Sequence, residues 1–159
     1  MRTPASIARH PVHPMLIGFP VTFFTLAPIL DLVAWATGDV MWETIAFWDI
    51  ALGIVTALAA AVPGFIDYLS LRGEPARTAT WHMTLNLIVV AMFGASLVFR
   101  GTAAQTWVGE ATWVPFALAI GGALILMVSG WLGGRLAYIH RVGVDEETAR
   151  AAEERRRAA

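Results

Sequence analysis

The chain has no cysteine, which excludes disulfides, thiolate metal sites and a cysteine nucleophile. It has no lysine either, so Schiff-base and acid–base lysine chemistry is ruled out and arginine carries all the fixed positive charge. Charge of both signs is scarce. Only 14% of the 159 residues are Asp, Glu, Lys or Arg, against about 25% in an ordinary soluble domain. No strand alternation, GxSxG, P-loop or dinucleotide fingerprint is present. No folded basic patch outside the C-terminal tail would suit nucleic acid. A soluble enzyme and a nucleic-acid binder are both excluded by this reading. What remains is 57% hydrophobic, with a mean hydropathy of +0.63. Lipid is the expected solvent.

Four apolar segments follow one another, at about 14–36, 44–71, 81–99 and 112–139. Each reaches the roughly 20 residues needed to cross about 30 Å of hydrocarbon. The expected fold is all-α: a polytopic bundle of four transmembrane helices filling residues 1–144, followed by a charged tail at 145–159. Glu146–Arg150 and Glu153–Arg157 sit at i,i+4 spacing in that tail, which suits a short solvated helix. The loops are short, at 37–43, 72–80 and 101–111. Ten of the eleven arginines fall before the first segment, between the second and third, or at and beyond the end of the fourth. Arg100 is the exception. The positive-inside rule then puts both termini in the cytoplasm of a bacterial or archaeal inner membrane. Trp35, Trp42, Trp48, Trp107 and Trp113 would ring the outer interface, with Trp81 and Trp131 nearer the inner one. No small-residue cleavage site follows the first apolar run, so no cleaved signal peptide is expected.

Helical periodicity sorts the faces. Asp67 shares a row with Pro63, Ala60, Thr56, Gly53 and Asp49, all small, polar or helix-breaking. Counting back from His140 gives Gly133, Ser129 and Gly122, a small-residue stripe of the kind that lets helices approach closely in lipid. His82 aligns with Asn86, Val89 and Phe93, and His13 with Pro20 and Asp31. These faces should turn inward, because an imidazole or carboxamide facing lipid is costly. Asp31 and Asp49 would then meet at the outer end. Pro20, Pro28 and Pro63 mark kinks. No internal repeat is evident along the chain.

All four histidines fall at segment ends that share one membrane face: His10 and His13, His82, and His140. Three readings are open. Two neutral imidazoles could supply both axial ligands of a haem b, with His82 and His140 the favoured pair and His10 and His13 a second source. Arg72, Arg77, Arg135 and Arg141 at that interface would face its propionates. Alternatively His13, Asp67, His82 and His140 would hold a divalent transition metal. A proton or solute path through Asp31, Asp49 and Asp67 is the third, although no broken-helix pair supports it. Set against all of these is a cofactor-free accessory subunit whose polar residues only lock helices together. The lipid bilayer is the expected partner. A redox protein or a second copy of the chain are further candidates, and no stand-alone enzyme is indicated.

Three stretches resemble one known family: His10-Pro11-Val12-His13-Pro14-Met15-Leu16-Ile17-Gly18-Phe19-Pro20, then Pro63-Gly64-Phe65-Ile66-Asp67-Tyr68, then Trp131-Leu132-Gly133-Gly134-Arg135-Leu136-Ala137-Tyr138-Ile139-His140-Arg141-Val142-Gly143-Val144. Together they resemble the bacterial and archaeal membrane-protein family catalogued as domain of unknown function 2231, from about His10 to Val144. The resemblance implies four transmembrane helices and draws attention to His10, His13, Asp67, His82 and His140. Some relatives are joined to Rieske-type iron–sulfur domains, which implies membrane electron transfer. This chain, lacking cysteine, would need any such centre on another polypeptide. Many relatives carry histidine where Gly18 stands here, and that departure removes one candidate ligand.

Overall fold

The computed structural model describes residues 3–8, 10–103, 113–144 and 155–157. A short antiparallel pair, β1 (Ser6–Ile7) and β2 (His10–Pro11), leads into α1 (Val12–Leu16) and α2 (Gly18–Thr37). Only Ile17, between Pro14 and Pro20, separates those two helices. Then come α3 (Met41–Ser70), α4 (Gly73–Ala103) and α5 (Trp113–Gly134), whose end widens into a π-turn over Arg135–Ile139. Four spans, Val12–Thr37, Met41–Ser70, Gly73–Gly101 and Trp113–Ile139, are long and apolar enough to cross a membrane. Val55, Leu58, Val62, Leu87, Val98, Leu124 and Met127 are all exposed. Large aliphatic side chains turned outward over the full length of helices suit a hydrocarbon solvent and would be untenable in water.

The third span begins at Gly73, earlier than the expected 81, so most of the anticipated 72–80 loop is helical. Gly73 takes the left-handed conformation (φ 65°), and Glu74 and Pro75 follow in the first turn. An acidic residue complements the helix dipole there, and proline loses no hydrogen bond. At the opposite end the α2–α3 turn is three residues long. Gly38 (φ 70°) closes α2 by donating its N–H to Ala34 O at 2.8 Å. Asp39 Oδ1 accepts the Met41 N–H at 2.9 Å and starts α3. Residues 104–112, including Trp107, and most of the 145–159 tail lie outside the described residues.

The helices form two hairpins, α2 on α3 and α4 on α5, and the second repeats the first. Asp31 and Arg100 stand 69 positions apart. The same offset relates His13 to His82, Phe24 to Phe93, Gly53 to Gly122, Ala60 to Ser129 and Gly64 to Gly133. The contacts repeat with it. His13 reaches Ala60 O across 47 residues, and His82 reaches Ser129 O across 47 residues. A Cβ on Gly53 would stand 2.6 Å from the Phe24 ring, and one on Gly122 would stand 2.8 Å from the Phe93 ring. The repeat is not evident in the sequence and emerges from the packing.

Residues that touch their own equivalents lie on the axis relating the halves. Three such pairs occur between α1–α2 and α4. The His13 and His82 rings are 6.4 Å apart, Phe24 and Phe93 stack at 4.2 Å, and Asp31 pairs with Arg100. The pseudo-two-fold axis therefore runs along the helices, as for parallel repeats whose axis follows the membrane normal. At mid-depth Phe24, Ala27, Ile50, Val89, Phe93 and Ala119 pack around it as the core.

The far end of the axis is closed by charge. Arg100 donates through both terminal nitrogens to Asp31, at 2.7 and 2.5 Å, with both residues buried. Its Nε donates to Ser96 Oγ at 3.3 Å, and that hydroxyl donates to Pro115 O at 2.8 Å. Asp31 thus pairs with the arginine, which corrects the expectation that it would meet Asp49. A fork-to-fork pair satisfies both buried ions, whereas two carboxylates would repel.

Candidate functional site

At the arginine-rich end the axis passes between His13, opening α1, and His82, in the third turn of α4. Each imidazole is half-buried and makes the same bond. His13 Nδ1 donates to Ala60 O at 2.8 Å, and His82 Nδ1 donates to Ser129 O at 2.9 Å. A carbonyl only accepts, so both rings carry the proton on Nδ1, and the neutral ring keeps its lone pair on Nε2. Those carbonyls already lie within helices; the imidazole reaches them because glycine stands four residues on. A Cβ on Gly64 would come within 2.7 Å of His13 Nδ1, and one on Gly133 within 3.2 Å of His82 Cε1. The two rings stand at 88° to each other.

The halves differ at one position beside the rings. Asn86, one turn after His82, donates its amide to His82 Nε2 at 3.1 Å and to His82 O at 3.0 Å. The equivalent position after His13 is Ile17, which has no polar group to offer. Ser129 Oγ adds a bond to His82 O at 3.3 Å and lies 3.1 Å from Nδ1. His82 is thus held at both nitrogens, His13 at one.

The other anticipated residues are placed elsewhere. His140 Nε2 lies 3.3 Å from Thr78 Oγ1, one turn nearer the helix start than His82. The π-turn over Arg135–Ile139 shifts its phase, and the structure brings His82 to His13 instead. His10 is exposed, its Nδ1 2.9 Å from Ala8 O. Asp67 is buried, and its Oδ1 accepts the Ala5 N–H at 2.8 Å. Ala5 O in turn accepts the Val12 N–H at 3.0 Å, so Asp67 anchors the segment that delivers His13. Among the described residues no group of three or more His, Cys, Asp or Glu stands together as a metal site. That finding does not favour the four-residue set His13, Asp67, His82 and His140.

Arg72 donates to Leu69 O at 2.9 Å and Leu71 O at 2.7 Å, capping the end of α3. Arg135 lies 5.3 Å over the Trp131 ring and 3.8 Å from Glu74, while its Nε is buried without an acceptor. Arg141 sits in the left-handed turn after the π-turn. Ala60, Ser129, Gly64 and Gly133 acquire their roles only from the packing. The signal that could have found them is the recurrence of a histidine and a glycine at one spacing in both halves.

The span pattern and packing define an integral membrane protein of two fused helical hairpins. The chain belongs to the family described as Predicted membrane protein (DUF2231), whose model matches residues 9–146. No curated protein and no solved structure matches the chain.

Proposed function

We propose that this protein is a membrane subunit whose His13–His82 pair is a ligand centre for haem iron or a transition-metal ion, serving electron transfer with a redox partner on another polypeptide. One observation carries the reading. Facing imidazoles on different hairpins each have Nδ1–H pinned to a backbone carbonyl, the arrangement that fixes tautomer and ring orientation in metal-ligating histidines. By the positive-inside rule the centre lies near the cytoplasmic face. The Asp31–Arg100 pair and the Phe24–Phe93 stack fill the axis beyond it, which speaks against a solute path.

The rival reading is a cofactor-free lock, favoured by the fact that the same two bonds tie α1 to α3 and α4 to α5. Absorption spectra and elemental analysis of protein purified in mild detergent separate the two. A ligand centre gives a bound chromophore or stoichiometric metal that is lost in His13→Ala and His82→Ala. A lock gives colourless, metal-free protein whose variants lose only thermal stability.

A further inference from the structure

We infer that the group held between His13 and His82 is a haem, its iron bound on opposite faces by the two Nε2 atoms; this rests on the ligand-centre reading and narrows it. The number of donors is the first argument. Tetrahedral zinc takes three or four protein ligands, and hard divalent ions take carboxylate oxygens. No such grouping stands among the described residues. Two opposed neutral imidazoles suit a metal whose remaining positions are filled by its own macrocycle, which is the donor set of a bis-histidine haem.

Spacing is the second argument. With metal–nitrogen bonds of about 2 Å, and the depth of each ring added, one shared ion sets imidazole centres roughly 6 Å apart. The observed separation is 6.4 Å.

The surroundings of the pair are the third. At the level of the pair the positions Ile17, Gly64, Asn86 and Gly133 are all partly exposed, whereas Pro20, Ala60, Val89 and Ser129, further in, are buried. Nearer the arginine-rich end Thr3, Asp67, Leu71, Thr78 and Ala79 are buried as well, so the pair lies enclosed between an apolar floor and a covering layer. A macrocycle between the rings would turn its propionates toward the arginine-rich end, where the buried Arg135 Nε lacks an acceptor two residues beyond Gly133. Ligation by His82 replaces its bond from Asn86, whereas His13 Nε2 has no hydrogen-bond partner among the described residues to give up.

The test is titration of haem-free, full-length protein in mild detergent with haemin. One equivalent should bind and give a six-coordinate low-spin Soret band. Because the rings are perpendicular, electron paramagnetic resonance should show the single, highly anisotropic low-spin signal of crossed imidazole planes rather than a rhombic spectrum. His13→Ala and His82→Ala should each turn high-spin, and free imidazole should restore the low-spin form, which an unfolded variant could not do. Asn86→Ile should retain haemin severalfold longer. Full low-spin haemin binding in both alanine variants would overturn the assignment. Failure to bind haemin, with Zn²⁺, Cu⁺ or Fe²⁺ bound and lost in His13→Ala, would overturn the haem while leaving a ligand centre. Failure to bind either haemin or those ions overturns both readings.

Discussion

An imidazole can share a carbonyl already used by a helix only where the residue four positions on leaves room for it. Gly64 and Gly133 supply that room in the two halves. Gly64→Ala would push a methyl against His13 Nδ1 and should lower thermal stability in detergent by roughly 1–3 kcal/mol, the usual cost of overpacking. Gly133→Ala should cost less, since its closest contact is looser. Asn86 offers a sharper distinction. If His82 Nε2 binds a ligand, Asn86→Ile removes a competing hydrogen bond, worth about 0.5–1.5 kcal/mol, and ligand affinity rises severalfold. If the amide is merely structural, equilibrium titration shows no gain. Periodicity made the row His82, Asn86, Val89 and Phe93 legible in the sequence, because α4 is regular throughout. It did not reveal the acceptors. Ala60 acts through its backbone, and a carbonyl has no sequence signature.

Each helix is positioned by a few side chains that cross between elements. The Asp31–Arg100 fork joins α2 to α4 inside the bundle, with Ser96 on the arginine Nε and the Glu43 carboxylate close enough to act on both ions. Removing one partner, as in Arg100→Ala or Asp31→Ala, should cost about 3–5 kcal/mol. The double change Asp31→Leu with Arg100→Met should recover most of that, because neither member of the fork is left without its partner. Thermal unfolding of the three variants in one detergent measures both effects. A count of arginines marks Arg100 only as the exception on the opposite side of the membrane, since a sequence does not say which charges have partners. Two other element-scale differences have local causes. Gly73, Glu74 and Pro75 extend α4 toward the arginine-rich end, and the π-turn rotates His140 onto Thr78. Hydropathy alone sees the apolar part of a helix, and a uniform period misplaces any residue beyond a wide turn.

For the whole molecule, four spans and their order were legible because lipid demands long apolar helices and short connections. The two-fold repeat was not legible. His13 and His82, Phe24 and Phe93, Gly53 and Gly122, and Gly64 and Gly133 retain identity where both halves must fill the same space. Elsewhere Ile17 faces Asn86 across the offset and Asp31 faces Arg100, while lipid-facing positions accept any aliphatic residue. The even number of spans, with both ends of the chain beside the arginines, is testable because the chain has no cysteine of its own. Ser70→Cys should be labelled by an impermeant reagent from the cytoplasmic side only, and Asp39→Cys from the opposite side only. Equal labelling from one side would break the topology. The most direct measurement is the absorption spectrum of the full-length protein beside its His13→Ala, His82→Ala and His140→Ala variants. A His13–His82 centre requires that a bound chromophore is lost or turns high-spin in the first two and persists in the third. Loss in His140→Ala with retention in His13→Ala would contradict it.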